Sequence, residues 1–425
     1  MIIPRIAKAD VIAGTRAHLQ PHRTATFARM GIDLVLGKRE GYRVWDLSGR
    51  ELFDLHLNGG TYNLGHRHPE IIGALVEGAA GVDIGNHHFP SPLRLALARR
   101  LSALAPAPLP YVVFTSGGSE AVDVAIKSAR RATGRRKVLA VESGYHGRTG
   151  LSGAAGDDSA ARFFHSDDTT HFVKVPFNHL AAARRAFEQH DFACVLMETL
   201  PATYGFPLPA DGYLPGIKAL CKKHGALYVA DEVQTGLGRS GAVWAISRFG
   251  VQPDILVTAK GLSGGIYPIA ATLLGERAGS WLKEDGWAHV STFGGAELGC
   301  CVALKVLEIT TRPATVRSAQ KVATLLGDGL RAIARRQPHL LEVRQCGLIF
   351  GLKVDHAEGA LHLMKALYDR GVWAIFSGFD MSVLQFKPGL LMSAAECREV
   401  LGIVEQALQA AAAMRGAPLM MKAAS

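Results

Sequence analysis

Five short apolar runs constrain this 425-residue chain more than any other feature: YVVFT (111–115), KVLAVE (137–142), ACVLME (193–198), ALYVADE (226–232) and DILVTAK (254–260). None alternates apolar with polar residues, and helix-length segments at 92–104, 118–132, 179–189 and 213–224 precede or separate them. Strands buried on both faces read this way, so the pattern predicts an α/β fold with a parallel sheet between helices. Before it, GYRVWDLSGRELFDLH (41–56) alternates around Ser48-Gly49 as a small hairpin meander, after a partly helical lead-in over 1–40. Beyond about residue 320 the texture shifts to amphipathic helices at 315–336, 357–371 and 393–413 around LIFGLKV and VLQFK, which predicts a smaller α+β domain. No internal repeat interrupts this order, and the Ala-rich end after Gly416 reads as loose.

In open α/β sheets ligands sit beyond the carboxyl ends of the strands, so residues that terminate the apolar runs are the ones to inspect. YVVFT runs into Ser116, Gly117, Gly118, Ser119 and Glu120 and then a helix, where backbone N–H groups and a hydroxyl can cradle a phosphate. A flexible turn with a plain N-cap reads equally well at that point. ALYVA ends in Asp231-Glu232, and a buried carboxylate needs a positive partner, either an arginine or the cationic ring nitrogen of a cofactor. DILVTA delivers Lys260 into Gly261-Leu262-Ser263-Gly264-Gly265. Desolvation there would lower its pKa and make the amine nucleophilic, although most lysines snorkel to water. KVLAVE leads to Tyr145 and His146, rings that could stack on a flat ligand or simply cap the core. Together, a phosphate cradle, a stacking ring, a buried acid and a buried lysine on one rim describe a site for pyridoxal 5'-phosphate.

Charge and cysteine content narrow the remaining classes. Lys and Arg number 47 against 37 Asp and Glu, a net charge of +10, which invites a polyanion partner. The basic residues are scattered in pairs such as Arg130-Arg131, Lys222-Lys223 and Arg335-Arg336 where helices end, so neither nucleic acid nor membrane is an expected partner. Cys194, Cys221, Cys300, Cys301, Cys346 and Cys397 form no C-x-x-C pair and no disulfide framework. The start MIIPRIAKAD lacks a signal-peptide pattern and no run approaches the ~18 apolar residues of a membrane helix, so the expected location is the cytoplasm. The His pairs 66/68 and 87/88 have no carboxylate or cysteine at ligand spacing, and no metal is expected. Gly236–Gly241 matches G-x-G-x-x-G, but DEVQT separates it from the strand, and Trp244 and Arg248 stand where a compact phosphate-binding helix should begin. A nicotinamide-dependent oxidoreductase is therefore the alternative from a different class, and it leaves Lys260 and Asp231 unexplained.

FTSGGSEAVDVAIKSAR, YHGRT, VADEVQTGLGRSG, PDILVTAKGLSGG and STFGG, in that order, resemble the class III (omega- and subgroup-II-type) pyridoxal-phosphate aminotransferases of fold type I, from LGHRHPEI near 64 to LQFKPGLLM near 384. The resemblance implies a large cofactor domain over 61–315 with a mostly parallel seven-stranded sheet, and a small domain from residues 1–60 and 316–425. It implies Lys260 as the Schiff-base lysine and proton shuttle, Asp231 as the acid at the pyridinium nitrogen, and Tyr145 as the stacking ring with His146 beside it. Val233 would pack on the other ring face, Gln234 would bond the phenolic oxygen, and Gly117, Gly118 and Ser119 would hold the phosphate. Thr292 would reach the phosphate of a neighbouring subunit, which makes the expected assembly a homodimer with shared sites. The implied reaction moves an amino group from an amine or amino acid to a 2-oxo acid or other carbonyl acceptor. The scaffold also supports an aminomutase, racemase, decarboxylase or amine lyase.

The chain departs from that pattern on the substrate side, where Tyr62, Glu198, Gln385 and Lys387 are the candidates. Glu198 aligns with a glutamate that gates substrates. Where the family commonly shows an arginine in L-R-F-x-P-P-L, this chain reads Leu384-Gln385-Phe386-Lys387-Pro388-Gly389-Leu390, and the loop after Glu198 reads TLPATYGFPLPADGY. Loss of a bidentate guanidinium clamp predicts a donor whose carboxylate is absent, differently placed, or held by another cation such as Lys387 or Arg239.

Overall fold

A computed structural model of the chain describes residues 4–85 and 88–414, so His87 and the end after Gly416 lie outside the described residues. All five apolar runs form strands, and two more join them in a seven-stranded sheet. Its order is Tyr111–Thr115, Ala270–Leu274, Ile255–Thr258, Leu227–Asp231, Phe192–Glu198, Lys137–Val141, Phe172–Val175. Ala270–Leu274 runs antiparallel to both neighbours, and the other pairings are parallel. The central strands Phe192–Glu198, Leu227–Asp231 and Ile255–Thr258 are buried at every position, as their unbroken apolar runs predict.

The two additional strands carry weak local signals. Phe172–Val175 lies at an edge and contains Lys174, whose ammonium is bonded to Asp158 and the Gly156 carbonyl. Ala270–Leu274 is short, and its complete burial comes from the strands on either side of it. The predicted helices form within a few residues of their expected ends, as Pro92–Leu104, Gly118–Thr133, Leu180–Gln189, Tyr213–His224, Pro313–Arg336, Gly359–Asp369 and Ala394–Ala413.

The Gly118–Thr133 helix matters most for the site. Ala121, Val122, Ala125, Ile126 and Ala129 recur at helical spacing and are fully buried, packed in one cluster with Ile255, Val257 and Ala270 of the sheet. Burial of a side chain such as Ile126 stabilises by about 1.5–3 kcal/mol. The helix stops at Gly134, which takes φ +67° and accepts the left-handed cap, and Arg130 and Arg131 occupy the last turn, where cations suit the dipole.

Both chain ends share one core. The hairpin Arg43–Asp46 and Glu51–Asp54 pairs with Leu36–Glu40 on one side and, in parallel, with Val372–Trp373 on the other. A second four-stranded antiparallel sheet contains Leu340–Cys346, Ile349–Val354, Asp380–Phe386 and Ile375–Ser377. Phe53, Leu55, Leu367, Phe386 and Val404 lie in a single buried cluster that also takes in Ile71 and Val306. The Ala394–Ala413 helix opens on a capping box between Ser393 and Glu396.

After Asp54 the chain makes a left-handed turn, with φ +48° at Leu57, +46° at Asn58, +70° at Gly59 and +97° at Gly60. Leu57 and Asn58 carry side chains in a conformation that costs about 1–2 kcal/mol per residue. Asp54 offsets this locally, because its Oδ1 accepts the N–H groups of His56 and Leu57 at 3.0 and 2.8 Å, while its Oδ2 meets His66 Nε2 at 2.8 Å. The turn lies against the Lys260 side chain: a Cβ added at Gly59 would meet Gln234 Oε1 at 2.9 Å and Lys260 Cε at 3.2 Å.

Candidate active site

Parallel register sets the site's acidic wall. Glu198 and Asp231 are direct partners on adjacent strands, and Asp231 pairs with Val257 on the next, two residues before Ala259 and three before Lys260. A cavity of about 270 Å³ opens beyond these strand ends. Its wall includes Gly117, Gly118, Ser119, Tyr145, His146, Glu198, Asp231, Val233, Gln234 and Lys260.

Asp231 is 3% exposed and is held on both oxygens. Oδ2 meets His146 Nδ1 at 2.8 Å and Oδ1 accepts the Val233 N–H at 3.0 Å. His146 is buried and its Nε2 has no hydrogen-bond partner among the described residues, so the imidazole supports Asp231 through one nitrogen. Glu198 accepts the N–H groups of Tyr145 at 3.0 Å and Ala202 at 3.1 Å, which ties the Tyr145 loop to the end of the Phe192–Glu198 strand. Burial raises the Glu198 pKa; His146 and the two N–H donors oppose that shift, and Asp231 adds to it.

Lys260 opens a short 3-10 turn, Lys260–Ser263, with φ +42°, a non-glycine residue in the left-handed region at the head of the glycine-rich bend. Its Nζ donates to Gln234 Oε1 at 3.2 Å. Burial lowers its pKa, while Asp231 and Glu198 pull it back up, so the neutral amine is favoured relative to a lysine in water. Gln234 Nε2 is buried without a partner among the described residues, which leaves two donors beside the amine for an acceptor in the cavity.

The cradle is a helix N-terminus. Gly117 caps Gly118–Thr133 in an extended conformation, and the first-turn N–H groups have no upstream acceptor in the helix. Ser119 Oγ accepts the Arg148 N–H at 3.4 Å, joining this turn to the YHGRT loop. Gly147 sits at φ +126° directly against Ser119, where any Cβ would collide with the serine side chain. Ser116 and Ser263 of the two glycine-rich turns also line the cavity, as do Gly147, Ala259, Pro268 and Ile269, which the strand-end reading did not name. Ser116 and Gly147 stand inside recognised motifs, whereas Pro268 and Ile269 arrive only through the antiparallel strand that follows them.

Glu232, next to Asp231, is a fixed bracket. Its oxygens accept Thr199 Oγ1 at 2.6 Å, Thr235 Oγ1 at 2.7 Å, and the N–H groups of Ala245 and Ile246 at 2.9 and 2.8 Å. These bonds anchor the turn that carries Val233 and Gln234. The G-x-G-x-x-G match lies beyond them in turns leading to a short 3-10 helix, Ala245–Phe249, with Arg239 buried inside it. Arg239 is also no free cation for a substrate: it donates to Asn63 Oδ1 and to the carbonyls of Leu348 and Pro388.

The other sequence candidates lie apart from the cavity. Tyr62 stacks on His66 with ring centroids 4.0 Å apart and lines a separate cavity of about 380 Å³ with Phe27, His56 and Trp373. Gln385 and Lys387 are buried at the end of the Asp380–Phe386 strand. Thr292 is exposed in a turn after the Trp281 region. Among the described residues no cluster of three or more His, Cys, Asp or Glu is arranged to hold a metal, and no helix is long and apolar enough to cross a membrane.

The residues present fit pyridoxal phosphate: a glycine cradle for phosphate, orphaned donors beside a neutral-leaning amine, and a carboxylate braced to face a cationic nitrogen. Fold and site together define a fold type I pyridoxal-phosphate enzyme. The chain belongs to the class III aminotransferase family, whose pattern it matches over residues 26–408. It is 45% identical over 393 residues, 92% of each chain, to an uncharacterized aminotransferase of Archaeoglobus fulgidus. Among solved structures it resembles the ornithine aminotransferase of Toxoplasma gondii, with 25% identity, a TM-score of 0.88 and 97% of each chain covered. It also resembles the acetylornithine aminotransferase of Elizabethkingia anophelis, with 26% identity, a TM-score of 0.81, and 95% of this chain and 100% of that one covered. The protein is a pyridoxal-phosphate-dependent aminotransferase, and the oxidoreductase alternative falls.

Proposed function

We propose that this aminotransferase works through Lys260 and Asp231, and that it takes an amine donor whose carboxylate, where present, is not clamped by a guanidinium. The observation that carries the assignment is that one cavity joins the lysine, the braced acid and the N–H cradle. When bound, pyridoxal phosphate supplies a carbonyl that takes up the amine and a conjugated ring that delocalises the electron pair left at the donor carbon. Gly117, Gly118 and Ser119 would hold its phosphate, Tyr145 and Val233 its two ring faces, and Gln234 its phenolic oxygen. Asp231, kept in place by His146 and the Val233 N–H, would hold a protonated ring nitrogen. The Lys260 amine, whose pKa burial lowers, would move the proton from the carbon that bears the donor's amino group.

The acceptor is a 2-oxo acid or other carbonyl compound, and the assembly is a homodimer in the cytoplasm. Support for the dimer comes from exposed apolar side chains on both flanks of Thr292, namely Trp287 and Val290 before it and Phe293 after it, with Phe89 on the segment whose His88 contacts Trp287 at 4.7 Å. All six cysteines are unpaired thiols, which suits a reducing compartment. The test of function is spectroscopic. The purified protein should carry a visible chromophore that Lys260→Ala abolishes, and adding an amine donor should bleach it with release of one carbonyl product. A product with the amino group moved within the donor, an inverted centre, or carbon dioxide would replace transamination with a mutase, racemase or decarboxylase reading.

A further inference from the structure

Strained backbone gathers at one place beside the catalytic lysine. Leu57, Asn58, Leu237 and Lys260 are non-glycine residues with φ of +48°, +46°, +58° and +42°, a conformation that persists only where its surroundings enforce it. Their segments touch. A Cβ added at Gly261 would meet Asn63 Nδ2 at 3.0 Å, the Gly60 carbonyl oxygen at 3.1 Å and Leu237 Cδ1 at 3.2 Å, and one at Gly59 would meet Gln234 Oε1 at 2.9 Å and Lys260 Cε at 3.2 Å. The left-handed Leu57–Gly60 turn is therefore pressed against the Lys260–Ser263 bend, and neither contact has room for a side chain.

The turn is held from its other end. Asp54 is buried, with Oδ1 taking the His56 and Leu57 N–H groups and Oδ2 meeting His66 Nε2 at 2.8 Å. A carboxylate that faces it makes Nε2 the donor. His66 is buried too and fixed in three ways: its N–H donates to the Gly41 carbonyl at 2.6 Å, its carbonyl accepts the Gly41 N–H at 3.2 Å, and Tyr62 stacks on its ring at 4.0 Å. Gly41 joins the Leu36–Glu40 and Arg43–Asp46 strands, so the hairpin anchors the histidine, the histidine anchors the carboxylate, and the carboxylate anchors the turn. Neither Asp54 nor His66 lines the Lys260 cavity, which leaves the turn as their route to the amine.

We infer that His66 and Asp54 are positioning residues for Lys260: the pair clamps the left-handed turn so that Gly59 confines the lysine side chain and keeps its amine on Gln234 Oε1. This rests on the assignment of Lys260 as the residue that takes up the cofactor, and adds how the chain sets the place of the amine. Without the histidine donor, one oxygen of Asp54 loses its partner, the turn relaxes toward ordinary backbone, and Gly59 moves off Lys260. A displacement of about 1 Å at a reacting group costs on the order of 10²-fold in rate. Solvation of the amine also returns its pKa, which burial lowers, toward the ordinary value of 10.5.

The test compares His66→Gln, whose amide nitrogen reaches the place of Nε2, with His66→Asn, whose amide stops at the place of Nδ1, and with His66→Phe, which keeps the stack on Tyr62 and has no donor. One readout needs no turnover: apo-protein is mixed with pyridoxal 5'-phosphate, and the rate at which the visible chromophore grows is followed against pH. Wild type and His66→Gln should share one midpoint, while in His66→Asn and His66→Phe it should rise by about one pH unit, toward that of a solvated lysine. With holoenzyme, kcat should fall by about ten- to a hundred-fold in those two variants and KM should change far less. Tyr62→Leu, which removes the stack and leaves the bond to Asp54, should lower the melting temperature alone. If His66→Asn and His66→Phe melt earlier yet match wild type in midpoint and kcat, the pair only supports the fold and the inference is overturned; a His66→Gln as impaired as His66→Asn overturns it equally. The Gln and Asn variants carry the comparison if His66→Phe does not fold. A wild-type apo-protein that forms no chromophore overturns the Lys260 assignment, on which the inference rests.

Discussion

The cofactor side and the substrate side of this site are built by different means. The cofactor side rests on one sheet: adjacent parallel strands place Glu198 against Asp231 in register, and Lys260 follows two residues past the end of the next strand. Each key side chain there has a second bond that fixes it, from His146 to Asp231 and from the Tyr145 N–H to Glu198. The proposed substrate side draws on separate parts of the chain outside the cavity, with Gln385 and Lys387 at the end of the second chain-end sheet meeting the turn after Leu55 through one backbone bond. A site held by shared register resists change at each position. A site assembled across elements can be rewritten one residue at a time.

Substitutions on the two sides should therefore differ in kind as well as size. Lys260→Ala should lose the visible chromophore and roughly a thousand-fold or more of turnover, read by absorbance and steady-state rates. The Lys260 pKa also gives a stability test of the apo-protein. Because burial lowers the folded value below 10.5, the unfolded chain binds more protons than the native one in the interval beneath 10.5, and the stability contributed at this residue rises with pH. Lys260→Met should accordingly be stabilised relative to wild type near neutrality, with the gap in denaturation midpoint closing as the pH climbs toward 10.5.

Asp231→Ala should cost about 10²–10³ in kcat, the scale for removal of one preorganised electrostatic partner, and should leave His146 without its bond. If Gln385→Leu proves more damaging to kcat than Asp231→Ala, the contrast between the two sides fails. Gly147→Ala should lower stability by about 1–3 kcal/mol and loosen the cofactor, because the added methyl collides with Ser119 at φ +126°; thermal melting with and without added cofactor reads both. The smallest effect belongs to Tyr62→Leu. Losing the stack on His66 should cost about 1 kcal/mol in a melting experiment and leave the visible chromophore unmoved, since Tyr62 lies outside the Lys260 cavity.

Much of the cofactor side was legible because it is local. An apolar run that ends in Asp231, or in Lys260 before a glycine bend, announces both the strand and the residue it delivers. Ala270–Leu274 escaped notice because its burial is conferred by the strands beside it, and Phe172–Val175 because an edge strand needs no unbroken apolar run. Glu232 is one residue from Asp231 and equally acidic. Only its four donors, the buried hydroxyls of Thr199 and Thr235 and two N–H groups at the start of the Ala245–Phe249 helix, separate a structural bracket from the acid that faces the cavity.

The same division applies to the cations offered in place of the missing arginine. Arg239 and Lys387 looked interchangeable as residues, but in the fold Arg239 is committed to Asn63 and two carbonyls, while Lys387 has one neutral acceptor. By itself the sequence determined the sheet, the strand ends and the residues presented there, since hydrophobic periodicity and glycine punctuation act within a few neighbours. Tertiary structure alone decided that the Arg239 charge is spent on the fold, because a hydrogen bond to a residue a hundred or more positions away leaves no trace in local pattern.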